Sequence, residues 1–518
     1  MANPLEPLLT HLVDDSEVNN RSDELTFDNI VEQSLSDFGF WQLFQISLVG
    51  LALLFDAQQI FITVYTDAYP TWHCLNHTIC DPSASDICKI PRSAWEWDGG
   101  SKGKSIISEF GLECSSSLLR GMPSSSFYIG AIVGGFFLAL IPDDSLGRKK
   151  LVLLSTFAMS ITTISVAFST NVWIYASLKF IIGFARSQTW SYALVLISER
   201  VSTRWRPRAT MIPFTLFVLG FISLSGIAYL AQHSSWKYLY TSVPAIFYCI
   251  FLYLFALESP RWLHMQGKDK EAINVLTKMS PKNRAYLESV ISKLPLEQEN
   301  HTQVPTYSIK DVFFRRWAFQ RIYVVMIIMF GLGISYYGVP LAARDIDVNI
   351  YLSETLNALV ELPTFVITPI LLERFNRRSS VLINTLLGGA SGVLIFLLSI
   401  LGQTEIAFAF ELATFFCARI GFNLMAVFMV EMFPTCVRSS ATMMFQQALV
   451  VGGACCPLIA SIGRDIHIPS VSFAVFGTAM SGLGLFVLIL PETKGLSLCD
   501  TMEEQEKRDQ VVNTSHCC

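Results

Sequence analysis

The stretch Asp144-Ser145-Leu146-Gly147-Arg148-Lys149-Lys150 decides the fold, because it returns. It sits between two apolar runs. A related stretch, Glu373-Arg374-Phe375-Asn376-Arg377-Arg378, follows after about 230 residues, again between apolar runs. Two more acid/base clusters repeat in the same order and at nearly the same interval. Glu199, with Arg206 seven positions on, is matched by Glu431 and Arg438. The stretch "ESPRW", from Glu258 and including Arg261, is matched by "ETKG" from Glu492. Inside the apolar runs, Arg186 of "FARSQTW" and Arg419 of "CARIGFN" stand at that interval too. Self-similarity at a fixed period means two copies of one structural unit.

The units are built for a membrane. Of the 518 residues, 52% are hydrophobic and 15% charged, with a mean hydropathy of +0.45. A soluble domain carries about 25% charge. A helix needs about 20 apolar residues to cross a bilayer. Windows of that length place twelve spans, near 41–66, 122–142, 151–169, 172–196, 209–231, 239–257, 321–342, 350–371, 380–401, 405–430, 440–462 and 471–490. The expected division is a cytoplasmic tail (1–40), a six-helix half (41–257) with a large loop (67–121), a central loop (258–320), a second half (321–490) and a tail (491–518). The fold class is thus an all-α membrane protein of twelve helices in two pseudo-symmetric halves.

The N-terminal segment ahead of the first span is polar and acidic, with no basic run leading an apolar core, so no signal peptide is expected. A net charge of −5 and the lack of a basic tail argue against nucleic acid. No zinc-type Cys/His spacing, GxxxxGK[ST] loop or nucleophile/base constellation is legible. No enzymatic activity, metal or cofactor is therefore expected.

Orientation follows the basic residues of short loops. "DDSLGRKK", "ERVSTRWRPR" and "ERFNRR" are basic, whereas "STN" and "GQTE" carry no Lys or Arg. The basic loops, and with them both termini, should be cytoplasmic. The loop 67–121 then faces outside or a lumen. Its Cys74, Cys80, Cys88 and Cys114 predict two disulfides with three pairings open. Asn76-His77-Thr78 is a glycosylation sequon there. In the central loop, "KDKEAINVLTK" predicts a short amphipathic helix against the inner gate.

The repeated charges predict that gate. Asp144, Arg148, Lys149, Glu199, Arg206, Glu258 and Arg261 of the first half, and Glu373, Arg377, Glu431, Arg438 and Glu492 of the second, lie at the inner helix ends. Bridges within and between the halves would hold one half against the other, and breaking them would let the halves rock. One exposed pair contributes about 0–1 kcal/mol, but a network biases a two-state equilibrium. The alternative is that some of these charges only fix topology.

These motifs resemble the major facilitator superfamily, and in particular its organic cation/carnitine transporter branch, over nearly the whole chain. "FDNIVEQSLSDFGFWQ", the cysteine-bearing loop ending "SIISEFGLEC", "ALVELP" and "VEMFPTCVRS" are similar to that branch, and "FDAQQ" to its plant members. "DDSLGRKK", "ESPRWL" and "PETKG" are shared with sugar porters. Two departures stand out. Asn376 occupies a usual glycine position, and Val450 stands where cation-transporting animal relatives carry an acidic residue. The resemblance implies alternating access in a monomer, with helices 1, 4, 7 and 10 lining a central cavity.

Candidate substrate contacts sit on or beside those helices: Asp56 and Gln59, Arg186 and Trp190, Tyr336 and Tyr337, Glu361, and Arg419, with Gln58, Tyr192, Gln446 and Gln447 as further polar groups. A carboxylate at the bilayer centre costs about 2.5–3.5 kcal/mol, which marks Asp56 as functional. A quaternary ammonium wants aromatic faces and a carboxylate. The carboxylate of a zwitterion wants a guanidinium fork. The expected substrate is an organic cation or carnitine-like zwitterion, with protons or sodium as the coupling ion, at the plasma or vacuolar membrane. Alternatively, Asp56 and Glu361 carry protons, Trp190 packs between helices, and Arg186 and Arg419 hold the halves together. A proton-coupled sugar carrier shares three motifs, but "MFGLGISYYGVPL" lacks the Gln/Asn cluster a sugar would want. A non-transporting sensor on the same fold would bind without flux.

Overall fold

The computed structural model describes residues 27–75, 80, 87–98, 105–138, 146–280, 313–346, 348–466, 468, 470–495, 499 and 501–515. Twelve helices among them are long and apolar enough to cross a bilayer. They are α1 (Phe40–Thr66), α2 (Ser117–Leu138), α3 (Arg148–Val166), α4 (Val172–Ser198), α5 (Arg206–Leu230), α6 (Lys237–Phe255), α7 (Arg316–Ala342), α8 (Ile350–Arg374), α9 (Arg377–Ile400), α10 (Thr404–Met432), α11 (Cys436–Asp465) and α12 (Val471–Ile489). Each overlaps one expected span, and most ends differ by only a few residues.

Burial sorts the helices. In α1 and α7, 78% of the central residues are buried, against 39% in α6 and α12. The outer helices show Phe247, Phe251, Leu254, Ile383 and Leu387 to the lipid. Small residues let inner helices touch. A Cβ on Gly220 of α5 would collide with the Leu54 carbonyl of α1, and one on Gly333 of α7 with the Leu449 carbonyl of α11. The halves meet along α2 with α11 and α5 with α8.

Helix α4 breaks at Ser187-Gln188, directly after Arg186. The break is supported from α3, where Ser155 Oγ donates to the freed carbonyl of Ala185 at 2.6 Å. An unpaired carbonyl in hydrocarbon would cost several kcal/mol, so this hydroxyl makes the break tolerable.

One end carries the basic loops and the other the cysteines. At the cysteine end, β1 (Trp72–Cys74) pairs antiparallel with β2 (Trp95–Trp97). Disulfides join Cys74 to Cys80 and Cys88 to Cys114, with Cα–Cα distances of 5.7 and 5.5 Å. Asn76 lies outside the described residues. Cys88–Cys114 closes a separation of 26 residues and ties the strand region to the start of α2. Replacing both cysteines with serine is expected to lower stability by about 2–4 kcal/mol, read as a lower melting midpoint that reductant shifts less than it shifts the wild type.

At the basic end, helix Phe27–Ser34 packs on helix Asp269–Met279 through Phe27, Ile30, Val31, Ala272, Ile273 and Leu276. Glu32 fastens this layer to the bundle, accepting from Arg206 at 3.4 Å, Arg261 at 3.3 Å and the Thr203 amide at 2.8 Å. A helix at Met502–Ser515 is fastened to the other half. Its Glu506 accepts from Arg315 at 2.6 Å and its Asp509 from Arg321 at 2.7 Å.

Candidate functional site

The two apolar-run arginines each find a carboxylate inside their own half. Arg186 Nε and Nη2 donate to the two oxygens of Asp56, at 2.6 and 2.7 Å. This is a closed two-pronged pair between α4 and α1, and Asp56 is fully buried. In the second half, Arg419 Nε stands 3.6 Å from Glu361 Oε2, too far for a hydrogen bond. Glu361 Oε1 instead accepts from Tyr336 at 2.7 Å. Arg419 Nε and Nη2 are buried with no hydrogen-bond partner, and Glu361 Oε2 has none either. The expectation that these arginines clamp one half to the other is corrected. Both pairs lie within a half, because α4 faces α1 and α10 faces α8.

Aromatic rings fill the space around the pairs. The Arg419 guanidinium lies over Tyr336, Phe365 and Phe422, with centroid distances of 5.7, 5.6 and 5.3 Å. Arg186 lies 5.5 Å over Phe127. Tyr336 and Tyr337 are both buried at the centre. Tyr336 stacks on Phe415 at 5.4 Å and Tyr337 meets Tyr128 of α2 at 5.0 Å. The Tyr128–Tyr337 contact spans the two halves. Trp190 packs edge-on against Phe214 and Phe217 of α5, and Phe214 meets Phe365 of α8. Gln59 is buried with its Oε1 unpartnered, as is Gln447, while Gln58 donates to Ser223 at 2.9 Å.

The cysteine end is closed by contacts between the halves. Arg120 of α2 pairs with Asp465 of α11, and Ser125 Oγ donates to the Ala454 carbonyl at 2.8 Å. Tyr65 of α1 stacks on Tyr351 of α8 at 5.8 Å, and Tyr229 of α5 meets the same ring edge-on at 5.6 Å. A cavity of about 350 Å³ opens above them, lined by Tyr65, Asp98, His233, Trp236 and Tyr351, and none of the ion-pair residues lines it.

The basic-end charges form two equivalent knots, one per half. In the first, Glu258 accepts from the Lys149 amide at 3.0 Å, at the start of α3, and Arg148 stands 3.9 Å from Glu199. In the second, Glu492 accepts from the Arg377 and Arg378 amides at 2.9 and 3.2 Å, at the start of α9, and Arg377 pairs with Glu431 at 2.9 Å. Each carboxylate thus caps a helix N-terminus, where backbone amides and dipole favour an anion. One expectation is corrected: among the described residues, the repeated charges bridge within each half and not between the halves. Glu199 and Glu431 meet Arg148 and Arg377, not Arg206 and Arg438. Arg206 and Arg438 turn to the Ser198 and Phe433 carbonyls at 3.2 and 3.3 Å. The bonds described among the repeated charges run within a half, since each carboxylate is held by the helix start beside it. Glu373 is exposed, and Asp144 lies outside the described residues.

Several groups escaped the sequence reading. Lys179 of α4 is fully buried, donates to Tyr240 Oη at 3.2 Å and lies 5.0 Å over Phe127. Tyr240 meets Tyr175 at 2.7 Å, and Tyr175 donates to Asp67 at 2.6 Å. The signal was present: Lys179 precedes Arg186 by two helical turns, on one face. Arg200, in the turn after α4, is pushed down to about 10 by burial and donates to Gln45 at 3.2 Å. It still stays charged at neutral pH. Glu411 and Asn357 are buried partners in the second half.

Twelve helices in two halves, with central ion pairs and one end sealed, define a membrane transporter of the major facilitator fold. The profile of the family described as "Sugar (and other) transporter" matches residues 36–504, and the chain belongs to it, within the group of plant organic cation/carnitine transporters. It is 89% identical to organic cation/carnitine transporter 6 of Arabidopsis thaliana and 71% identical to organic cation/carnitine transporter 5, over the full length of each. The xylose transporter XylE from E. coli, solved inward open, shares the fold, with a TM-score of 0.61 and 18% identity over 90% of this chain and 98% of that one.

Proposed function

We propose that this chain moves organic cations or carnitine-like zwitterions by alternating access, as a monomer, with its basic end in the cytoplasm of a plasma or vacuolar membrane. The observation that carries the reading is the unequal state of the two central pairs. Asp56 saturates Arg186, whereas Arg419 keeps two buried nitrogens without an acceptor beneath three rings. A substrate carboxylate supplies the missing acceptor, and charge-assisted bonds of this kind are roughly twice as strong as neutral ones. The ammonium end has Glu361 Oε2 and the faces of Tyr336, Tyr337 and Tyr128 to meet it. The relatives named for organic cations and carnitine agree with this chemistry.

Alternating access follows from where the bonds lie. Contacts between the halves close the cysteine end, while the basic-end knots stay within each half. Separating the halves at the cysteine end costs the Arg120–Asp465 pair of α2 and α11 and the Tyr65–Tyr351 stack of α1 and α8, and leaves both knots intact. Asn76 is the proposed glycan site on the outer loop. The test is uptake of labelled carnitine, choline, a polyamine and glucose in transporter-deficient cells, with proton and sodium gradients imposed separately. Carnitine or choline should accumulate. Glucose flux without cation flux would overturn the reading, and binding without flux would point to a sensor.

A further inference from the structure

The second half holds a carboxyl that the substrate site does not use. Glu411 of α10 is fully buried. Among the described residues it has no cationic partner. Its Oε1 accepts from Asn357 Nδ2 of α8 at 2.8 Å. The Ser353 hydroxyl of α8 is a second neutral hydrogen-bond partner of the carboxyl, and Asn357 Oδ1 has no partner although Asn357 is fully buried too. The carboxyl is thus met by neutral groups alone. A proton on Glu411 removes the buried charge and makes the carboxyl a donor as well as an acceptor, while Asn357 Nδ2 still donates to Oε1. A sodium ion would need a full shell of oxygens, which these few groups do not supply.

The surroundings do not supply the missing charge. Of the described side chains, α8 presents Ser353, Glu354 and Glu361, none of them cationic. The Ser353 hydroxyl is neutral and cannot balance a carboxylate. The turn Ala343–Ile346 carries Asp345, held by Arg464 of α11 at 3.2 Å. Helix α7 offers Tyr336, committed to Glu361, and α9 offers Asn384 and Thr385. On α10 itself, Glu405 lies at the exposed start and Arg419 lies two turns further on, beside Glu361. An ionised Glu411 would stand alone in low dielectric, a state strongly disfavoured against the neutral one.

We propose that Glu411 is the proton-carrying group of this transporter. It holds a proton against Asn357 while its surroundings are closed, and it exchanges that proton with water when the halves open. The proton leaves Oε2 as hydronium and returns the same way, with no other bond made or broken. Asn357 lies one helical turn from Glu361 on the same face of α8, which places proton and substrate on one helix. The assignment rests on the carrier reading above.

The test uses purified full-length protein in liposomes and labelled carnitine. The wild type should exchange carnitine without any gradient and accumulate it under an inward proton gradient. In E411Q the amide keeps an acceptor for Asn357 Nδ2 and a neutral donor in place of the carboxyl O–H, but has no proton to release. Exchange should persist, and accumulation should fall to the no-gradient level. E411Q accumulating like the wild type would overturn the assignment, as would wild-type accumulation that follows sodium instead of protons. Lack of exchange in the wild type would overturn the carrier reading itself. Should E411Q fail to reach the membrane, Asn357→Leu keeps the carboxyl and answers separately. The ionised form loses a charge-assisted donor and the protonated form only neutral bonds, so the pH midpoint of accumulation should move to the alkaline side, by up to about tenfold in proton concentration. An unmoved midpoint would refute the proposal.

Discussion

Asp56→Asn is expected to abolish uptake, the largest effect of any single change in this chain. The variant leaves the Arg186 guanidinium charged and buried, facing an amide that can accept at only one oxygen. Removing one partner of a buried pair costs about 3–5 kcal/mol. That cost falls on α1 and α4, two helices at the centre of the first half. The expected readout is transport at background level with a lowered melting midpoint. Asp56→Asn combined with Arg186→Gln removes the stranded charge, so it should recover most of the melting midpoint while transport stays lost. Unchanged carnitine affinity, pH dependence and rate in Asp56→Asn would exclude it from the site. The distinction matters because Asp56 does not stand free for substrate. In this conformation its two oxygens are both spent on Arg186, so under the proposed function it would act on substrate by holding or releasing that guanidinium.

Arg419→Leu is expected to separate zwitterions from simple cations. Arg419 is the central guanidinium with open donors, so a substrate carboxylate loses its docking group when it is removed. Hydrogen bonds to charged groups contribute about 1.5–3 kcal/mol, which corresponds to a loss of roughly 10- to 150-fold in carnitine affinity. Choline has no carboxylate and loses none of this. Its affinity should hold or improve, since Glu361 is freed of a competing cation. The variant Glu361→Gln with Arg419→Leu controls for a stranded carboxylate. Competition uptake with carnitine against choline measures the ratio directly. An equal loss for both substrates would assign Arg419 to the scaffold.

Much of this architecture is legible in the chain. Twelve apolar windows became twelve helices because only a helix satisfies its own backbone polar groups in lipid, so length and hydropathy suffice to place it. The repeated charges marked one end of the bundle, since Glu258 and Glu492, and the pairs Arg148–Glu199 and Arg377–Glu431, landed in equivalent positions. Their partners were not legible. A carboxylate at a helix end takes the nearest helix start or arginine in space, which position in the sequence does not record. The amphipathic helix at Asp269–Met279 was legible from its spacing, whereas its cover, Phe27–Ser34, came from a stretch read as a polar tail.

The sequence alone determined twelve membrane-spanning helices in two related halves, and it singled out Asp56, Arg186, Glu361 and Arg419 as candidate site residues. It also marked the four cysteines of the first loop. The tertiary structure alone decided that Cys74 joins Cys80 and Cys88 joins Cys114, and that each central arginine pairs inside its own half. It alone left Arg419 open where Arg186 is closed, and it brought Glu411 to Asn357 across 54 residues of chain. The physical reason is the range of the forces. Hydrocarbon acts on each segment by itself, so local composition records its demands. An ion pair or a shared proton needs two helices at one depth and one rotation, and no single segment contains that information.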